Sequence, residues 1–211
     1  MSKPKLISEV LKETELLLDK LFTNIPIVDN NDPDFIRQEI LFKLQREKEM
    51  FLEDLKLARI PIKHFRILES MKNDDIPALY NKVISTMKDS LLLHGNGKPK
   101  TLAACAWLAN RCRKGDTIFY VKGLSLLLEA SNYKNRDKSR MLMRALNCGS
   151  LVIDDIQNIN NSDINLSHFS NILSERSDAE RKTILISSSS PTSSIVTRCA
   201  YENVEDALAV S

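Results

Sequence analysis

The sequence predicts an α/β fold: a three-layer α/β/α domain on a parallel sheet, preceded by a helical extension. Three observations predict it. Short apolar runs around Leu91-Leu92-Leu93, 117–121, 150–155 and 183–186 read as strands buried on both faces, as parallel strands are. Segments of helical length alternate with them, the pattern of β-α-β units. The first run leads through His94-Gly95-Asn96-Gly97-Lys98-Pro99-Lys100-Thr101 into the apolar segment 102–109. A strand, a glycine-bearing loop closed by Lys-Thr and a helix is the layout that cradles phosphate, because loop N–H groups and the helix N-terminus converge on it.

The loop departs from the usual pattern G-x-x-x-x-G-K-[ST]. With Lys100 and Thr101 in the last two positions, His94 and Pro99 stand where the two glycines belong. Pro99 has no N–H, so one phosphate donor is missing, at roughly 1.5–3 kcal/mol for a charge-assisted bond. Gly95, Asn96, Gly97, Lys98, Lys100 and Thr101 are the candidate nucleotide-binding residues.

Bulk composition limits the alternatives. The 211 residues suit one substantial core with an appendage. Thirty Lys and Arg against 28 Asp and Glu give a net charge of +2, so nucleic-acid contact would need a local patch. Cys105, Cys112, Cys148 and Cys199 lack metal-like spacing and read as reduced thiols. No apolar run is long enough for a membrane span and no signal segment is evident, so a cytoplasmic protein with no membrane partner is expected.

Residues 5–22 carry apolar positions near helical spacing, and the Pro-Asn-Asp-rich 24–33 ends that helix. A second helix is expected over 34–57, its 45–56 portion dense in Glu, Lys and Arg. This is a solvated face on a long helix or, with 1–57 as a unit, a helical region that docks a partner. Pro61 biases Ile60 toward extended backbone, and 58–75 reads as a linker to a nucleotide-binding domain over 76–211. Helices are further expected over 76–88, 101–113, 123–130, 140–146 and 164–177.

Asn132 to Arg140 is locally basic with one aromatic. It is either an exposed loop or a strand-binding segment, in which Lys134, Arg136, Lys138 and Arg140 neutralise phosphates and Tyr133 stacks on a base. The run 150–155 ends in two acids. Strand C-termini of parallel sheets open on the ligand crevice, so both acids should lie beside the phosphate loop. Asp154 with Thr101 would hold Mg²⁺, and Asp155 would orient or deprotonate water. At the tip of the last strand Ser188 is a candidate γ-phosphate sensor, or part of a plain polar loop. The 20 residues beyond Pro191 are too few for a helical lid.

The order of parts resembles the DnaC/IstB group of AAA+ ATPases, which includes replicative helicase loaders. Ala58-Arg59-Ile60-Pro61-Ile62-Lys63-His64-Phe65 is similar to that group's linker, and Arg140-Met141-Leu142-Met143-Arg144-Ala145-Leu146 with Leu151-Val152-Ile153-Asp154-Asp155-Ile156 to its leucine-rich helix and Asp-Asp strand. The strand running into Pro191 resembles the sensor strand, with Ser188 where asparagine is usual, and Arg198 stands near the place of the arginine that reaches a neighbour's nucleotide. The resemblance implies an AAA+/ASCE core binding ATP or ADP with Mg²⁺ and single-stranded DNA. It also implies N-terminal helices that grip a DnaB-type helicase, and self-assembly into a ring or spiral. Short length and the unusual loop suit a phage or mobile-element version with weak or absent hydrolysis. An active IstB-like ATPase that regulates DNA transposition is the alternative.

Overall fold

Five short strands build one parallel sheet: β1 (Ser90–His94), β2 (Ile118–Lys122), β3 (Ser150–Asp154), β4 (Lys182–Ile186) and β5 (Asp206–Ala209). Their spatial order is β2-β3-β4-β1-β5. The computed structural model describes residues 33–70, 90–95, 100–131, 140–189 and 206–209. The four expected strands are present, β2 one residue later than anticipated. The expected helices at 5–22 and 76–88 lie outside the described residues. β5 was not anticipated, because Asp206-Ala207-Leu208-Ala209 has neither β-branched nor aromatic residues to signal a strand.

Strand alternation sorts the core into two layers. Leu91, Leu93, Ile118, Tyr120, Val152, Ile184 and Ile186 meet one set of helices: the end of α1 (Pro33–Leu57), α2 (Ile62–Ser70) and α3 (Lys100–Arg113). Leu92, Phe119, Val121, Leu151, Ile153 and Leu185 face the other: α4 (Gly123–Ser131), α5 (Arg140–Asn147) and α6 (Asp163–Asp178). β3 is buried along its whole length, as a strand covered on both faces must be. In α3 the small residues Ala103, Ala104, Cys105, Ala106 and Ala109 are all buried, which lets the helix lie close to the sheet.

α1 is divided along its length. Leu41 and Phe42 are exposed, whereas Leu55 is fully buried and, with Ala58 and Ile60, enters the α3-side core. Burying such a leucine contributes about 2 kcal/mol. The Ala58 carbonyl accepts a hydrogen bond from Tyr120 N–H (2.9 Å), so the residues after α1 cover the edge of β2. The segment 58–75 contains α2 over much of its length.

Three helices end the same way. After α1, α3 and α6 a residue in the left-handed region donates its N–H three residues back, and the next residue donates five back. Glycine usually occupies that position because a Cβ there costs about 1 kcal/mol. Gly115 (φ 84°) follows the rule after α3, whereas Arg59 (φ 62°) and Glu180 (φ 53°) do not. α6 begins on Ser162, whose side chain accepts from Asn165 N–H at 3.3 Å.

Near the end of α6 the fully buried Arg176 donates to the carbonyls of Ala145, Leu146, Cys148 and Lys182 and to Thr183 Oγ1. It fastens α6 to the chain entering β3 and β4. At the same end of the sheet Arg111, Asp116 and Ser150 bond to one another, tying α3 to β3.

Candidate nucleotide site

The site lies at the carboxyl ends of the strands. β1 delivers the chain to Gly95, which adopts φ 97°, a conformation open to glycine, and α3 starts at Lys100. Lys100 is only 5% exposed, and its ammonium donates to the Gly95 carbonyl at 2.5 Å. Desolvation pulls its pKa below the usual lysine range, opposed by the charge of Asp154. A buried ammonium at a helix N-terminus is a site where an anion is stabilised. His94, just before it, also titrates below its usual range, through burial and then the charge of Lys100.

The two halves of the site come together although β4 separates β1 from β3. Asp154 shares its sheet face with Val152, the α3 side, and α3 carries Thr101 across to it. Thr101 Oγ1 donates to Asp154 Oδ2 at 3.2 Å. Tyr120, on the same face of β2, donates its phenol to that oxygen at 2.5 Å, and Asp155 N–H donates to Asp154 Oδ1 at 2.8 Å. Burial first, then the neighbouring Asp154 carboxylate, raises the Tyr120 pKa, so the phenol remains a donor. Hydroxyl and carboxylate oxygens are the donor set a hard divalent cation takes, so Thr101 and Asp154 fit Mg²⁺.

Asp155 caps a short 3₁₀ turn over Ile156–Asn158 with φ 57° and ψ 38°, a left-handed conformation that side chains other than Asn and Asp rarely adopt. Lys122 Nζ lies 3.0 Å from its Oδ2, and Gln157 Nε2 donates to its Oδ1 at 3.3 Å. Gln157 also accepts from Ser188 N–H at 3.0 Å through Oε1, while Ser187 N–H reaches the Leu93 carbonyl. The tips of β1, β2, β3 and β4 are thus linked around Asp155. Gly123 permits this closeness, since a Cβ there would stand 3.0 Å from Ile159 Cδ1 and 3.3 Å from Ile156 Cα.

Of the sequence-predicted residues, Gly95, Lys100, Thr101, Asp154, Asp155 and Ser188 gather at this rim. Ser188 takes part through its backbone amide. Arg140 is exposed at the start of α5. Asn96, Gly97, Lys98, Tyr133, Lys134, Arg136, Lys138 and Arg198 lie outside the described residues. Sequence reasoning missed Tyr120, Lys122 and Gln157. Aligning the ends of the runs 118–122 and 150–154 would have brought Lys122 beside Asp154, their actual register.

Other features keep apart from this rim. A cavity of about 450 Å³, lined by Asp54, Thr117, Arg144 and Asn147 among others, opens at the opposite end of the sheet. The described cysteines are free thiols. Burial raises all three pKa values, that of Cys112 to about 11, so they remain protonated. Among the described residues no three His, Cys, Asp or Glu side chains gather as a metal site, and no helix is long and apolar enough to cross a membrane.

A parallel sheet with this strand order, a lysine-bearing helix N-terminus after β1 and paired acids at the end of β3 define an α/β P-loop NTPase-like protein of the AAA+ type. The sequence model described as IstB-like ATP binding protein matches residues 35–195, and the chain belongs to that family. Among curated proteins none matches. The solved structure of the DnaC helicase loader is similar at TM-score 0.50 and 21% identity, over 63% of this chain and 86% of that one. A putative primosome component from Streptococcus pyogenes serotype M3 gives 0.51 and 16%, over 72% and 90%. The replication initiator DnaA, bound to AMPPCP and single-stranded DNA, gives 0.55 and 15% over 68% of this chain. The match spans about half of that longer protein (49%). At these identities the likeness speaks for the fold.

Proposed function

We propose that this protein is a helicase-loader-like adaptor of DNA replication whose core binds ATP or ADP. The single observation that supports it most is the meeting of Thr101 with Asp154 beside buried Lys100. In this reading Lys100 and the first turn of α3, with Gly95, Asn96, Gly97 and Lys98, hold the phosphates, and Thr101 with Asp154 holds Mg²⁺. Asp155 is the group that would take a proton from water. Its carboxylate is ion-paired to Lys122 and accepts from Gln157, contacts that a water molecule would have to compete with, which favours weak hydrolysis. Ser188 senses the nucleotide through β4, and Arg198 acts on a neighbouring subunit in a ring or spiral.

The region 1–57 serves as the grip for a hexameric DnaB-type helicase, 58–75 as the linker and 76–211 as the nucleotide domain. The exposed apolar side chains Leu41, Phe42 and Met50 on α1 suit the first of these roles. The basic segment around Tyr133, Lys134, Arg136, Lys138 and Arg140 contacts single-stranded DNA. A second reading, an active ATPase regulating DNA transposition, is favoured by the family match itself. Co-purification with a DnaB-type helicase, with and without residues 1–57, tests the loader reading. Retention that needs residues 1–57 supports it, and none with either form rejects it. Calorimetry with ATP tests the nucleotide site. Turnover abolished by Asp155→Asn, with a preference for duplex DNA, moves the assignment to the second reading.

A further inference from the structure

Two guanidinium groups share one ring on β2, the outermost strand of the sheet. Arg59 Cζ stands 5.8 Å and Arg144 Cζ 4.9 Å from the centroid of Phe119, whose side chain they cover. Arg59 Nη1 also donates to Met141 Sδ, a weak acceptor, and both arginines are exposed. Among the described residues neither forms an ion pair. The nearby Asp116 is taken by Arg111, and Asp54 lines the cavity beside Arg144 without pairing to it. The ring holds both guanidinium groups at the surface, where N–H groups with no carboxylate partner among the described residues can meet phosphate.

Two further observations point the same way. Arg140 lies one helical turn before Arg144, so the two project from one side of α5, directly after the basic segment 132–139. Arg59 occupies the left-handed position after α1 where glycine is favoured, so the local fold does not ask for its side chain.

We propose that Arg59 and Arg144, both set over Phe119, form with Arg140 a phosphate-binding strip for single-stranded nucleic acid beside the β2 edge. The strip rests on the single-strand part of the reading above and is separate from the nucleotide site, because Phe119 lies on the sheet face opposite that of Tyr120. A single strand presents one line of evenly spaced phosphates that such a cluster of cations can follow, whereas a duplex would present its phosphates in two separated lines.

Fluorescence anisotropy of the full-length chain with a labelled oligothymidylate, over a range of salt, tests it. Arg144→Ala and Arg59→Gly are each expected to weaken binding about tenfold, as loss of a charge-assisted hydrogen bond does, and to flatten the salt slope by about 0.7. The Tm of Arg59→Gly should change little, because the relief of the left-handed backbone offsets the lost contacts to Phe119 and Met141, and Lys43→Ala, an equal charge loss on exposed α1, should leave binding unchanged. Wild-type affinity in both arginine variants overturns the strip and leaves the single-strand reading standing. An oligonucleotide that the unaltered chain does not bind overturns both. Polyglutamate competing as well as the oligonucleotide would overturn the proposal in favour of an acidic protein surface.

Discussion

Thr101 Oγ1 lies 3.2 Å from Asp154 Oδ2 although their strands are not neighbours, because α3 crosses over β4 to reach β3. The contact joins the start of a helix to the end of a strand, with the whole of β4 between the two chain segments. Asp154 accepts from three donors, Thr101, Tyr120 and the Asp155 amide, and is 5% exposed.

Tyr120→Phe removes one donor from a buried carboxylate and adds no volume. Stability should fall by about 1.5–3 kcal/mol, the range for a hydrogen bond to a charged group, measurable as a lower urea midpoint at unchanged slope. A variant as stable as the parent would show that Thr101 and the amide suffice.

Lys122→Met releases the Asp155 carboxylate from its ammonium partner. ATP turnover, followed as phosphate release, should rise if that pairing restrains Asp155, and Asp155→Asn should cancel the gain. Equal turnover in Lys122→Met and the parent assigns the pair to surface electrostatics, where such pairs contribute about 0–1 kcal/mol.

Arg176→Met keeps much of the side-chain volume but strands the carbonyls of Ala145, Leu146, Cys148 and Lys182. A loss of about 3–5 kcal/mol is expected, since breaking a buried charged network leaves its partners unsatisfied. Chemical denaturation reads it directly.

Glu180→Gly should stabilise the chain by about 0.5–1 kcal/mol by removing a Cβ from the left-handed position after α6. Gly115→Ala, where φ is 84° and no atom crowds the site, should cost about as much through backbone strain alone. Paired thermal melts of the two variants should move in opposite directions.

Acidification should destabilise the fold. Burial, and then Lys63 and Lys100 respectively, hold the pKa values of His64 and His94 below the ordinary 6.5, with Asp154 opposing the shift at His64. The unfolded chain therefore binds more protons just below pH 6.5, and stability falls as pH drops through the window down to the lowered folded values. His64 Nδ1 is buried without a hydrogen-bond partner among the described residues, so its protonation gains nothing there. Urea midpoints at about pH 7.5 and 5.5 should differ less in the double variant His64→Gln, His94→Gln than in the parent.

Most of the sheet was legible because β1 to β4 are apolar runs of near-uniform length, and a strand buried on both faces shows no alternation to mistake for a helix. Leu208 alone gives β5 apolar weight, and its pairing with β1 depends on distant chain. At the site, Lys100-Thr101 and Asp154-Asp155 could be read from loop and strand-end chemistry. Tyr120, Lys122 and Gln157 could not, because their role comes from register and from a turn geometry that no local pattern announces. Arg176 reads as a solvent-facing cation in a polar helix, yet tertiary structure closes over it.

β1 pairs with β4 on one side and β5 on the other, both of them encoded long after it, whereas β2 and β3 pair with only α4, α5 and their connections between them. During synthesis the β2–β3 half can associate early, while the strand feeding Lys100 waits for partners still inside the ribosome. Competence at the phosphate loop should therefore be among the last properties a nascent chain acquires, and a stalled chain ending before β4 would expose two unpaired flanks of Leu91-Leu92-Leu93.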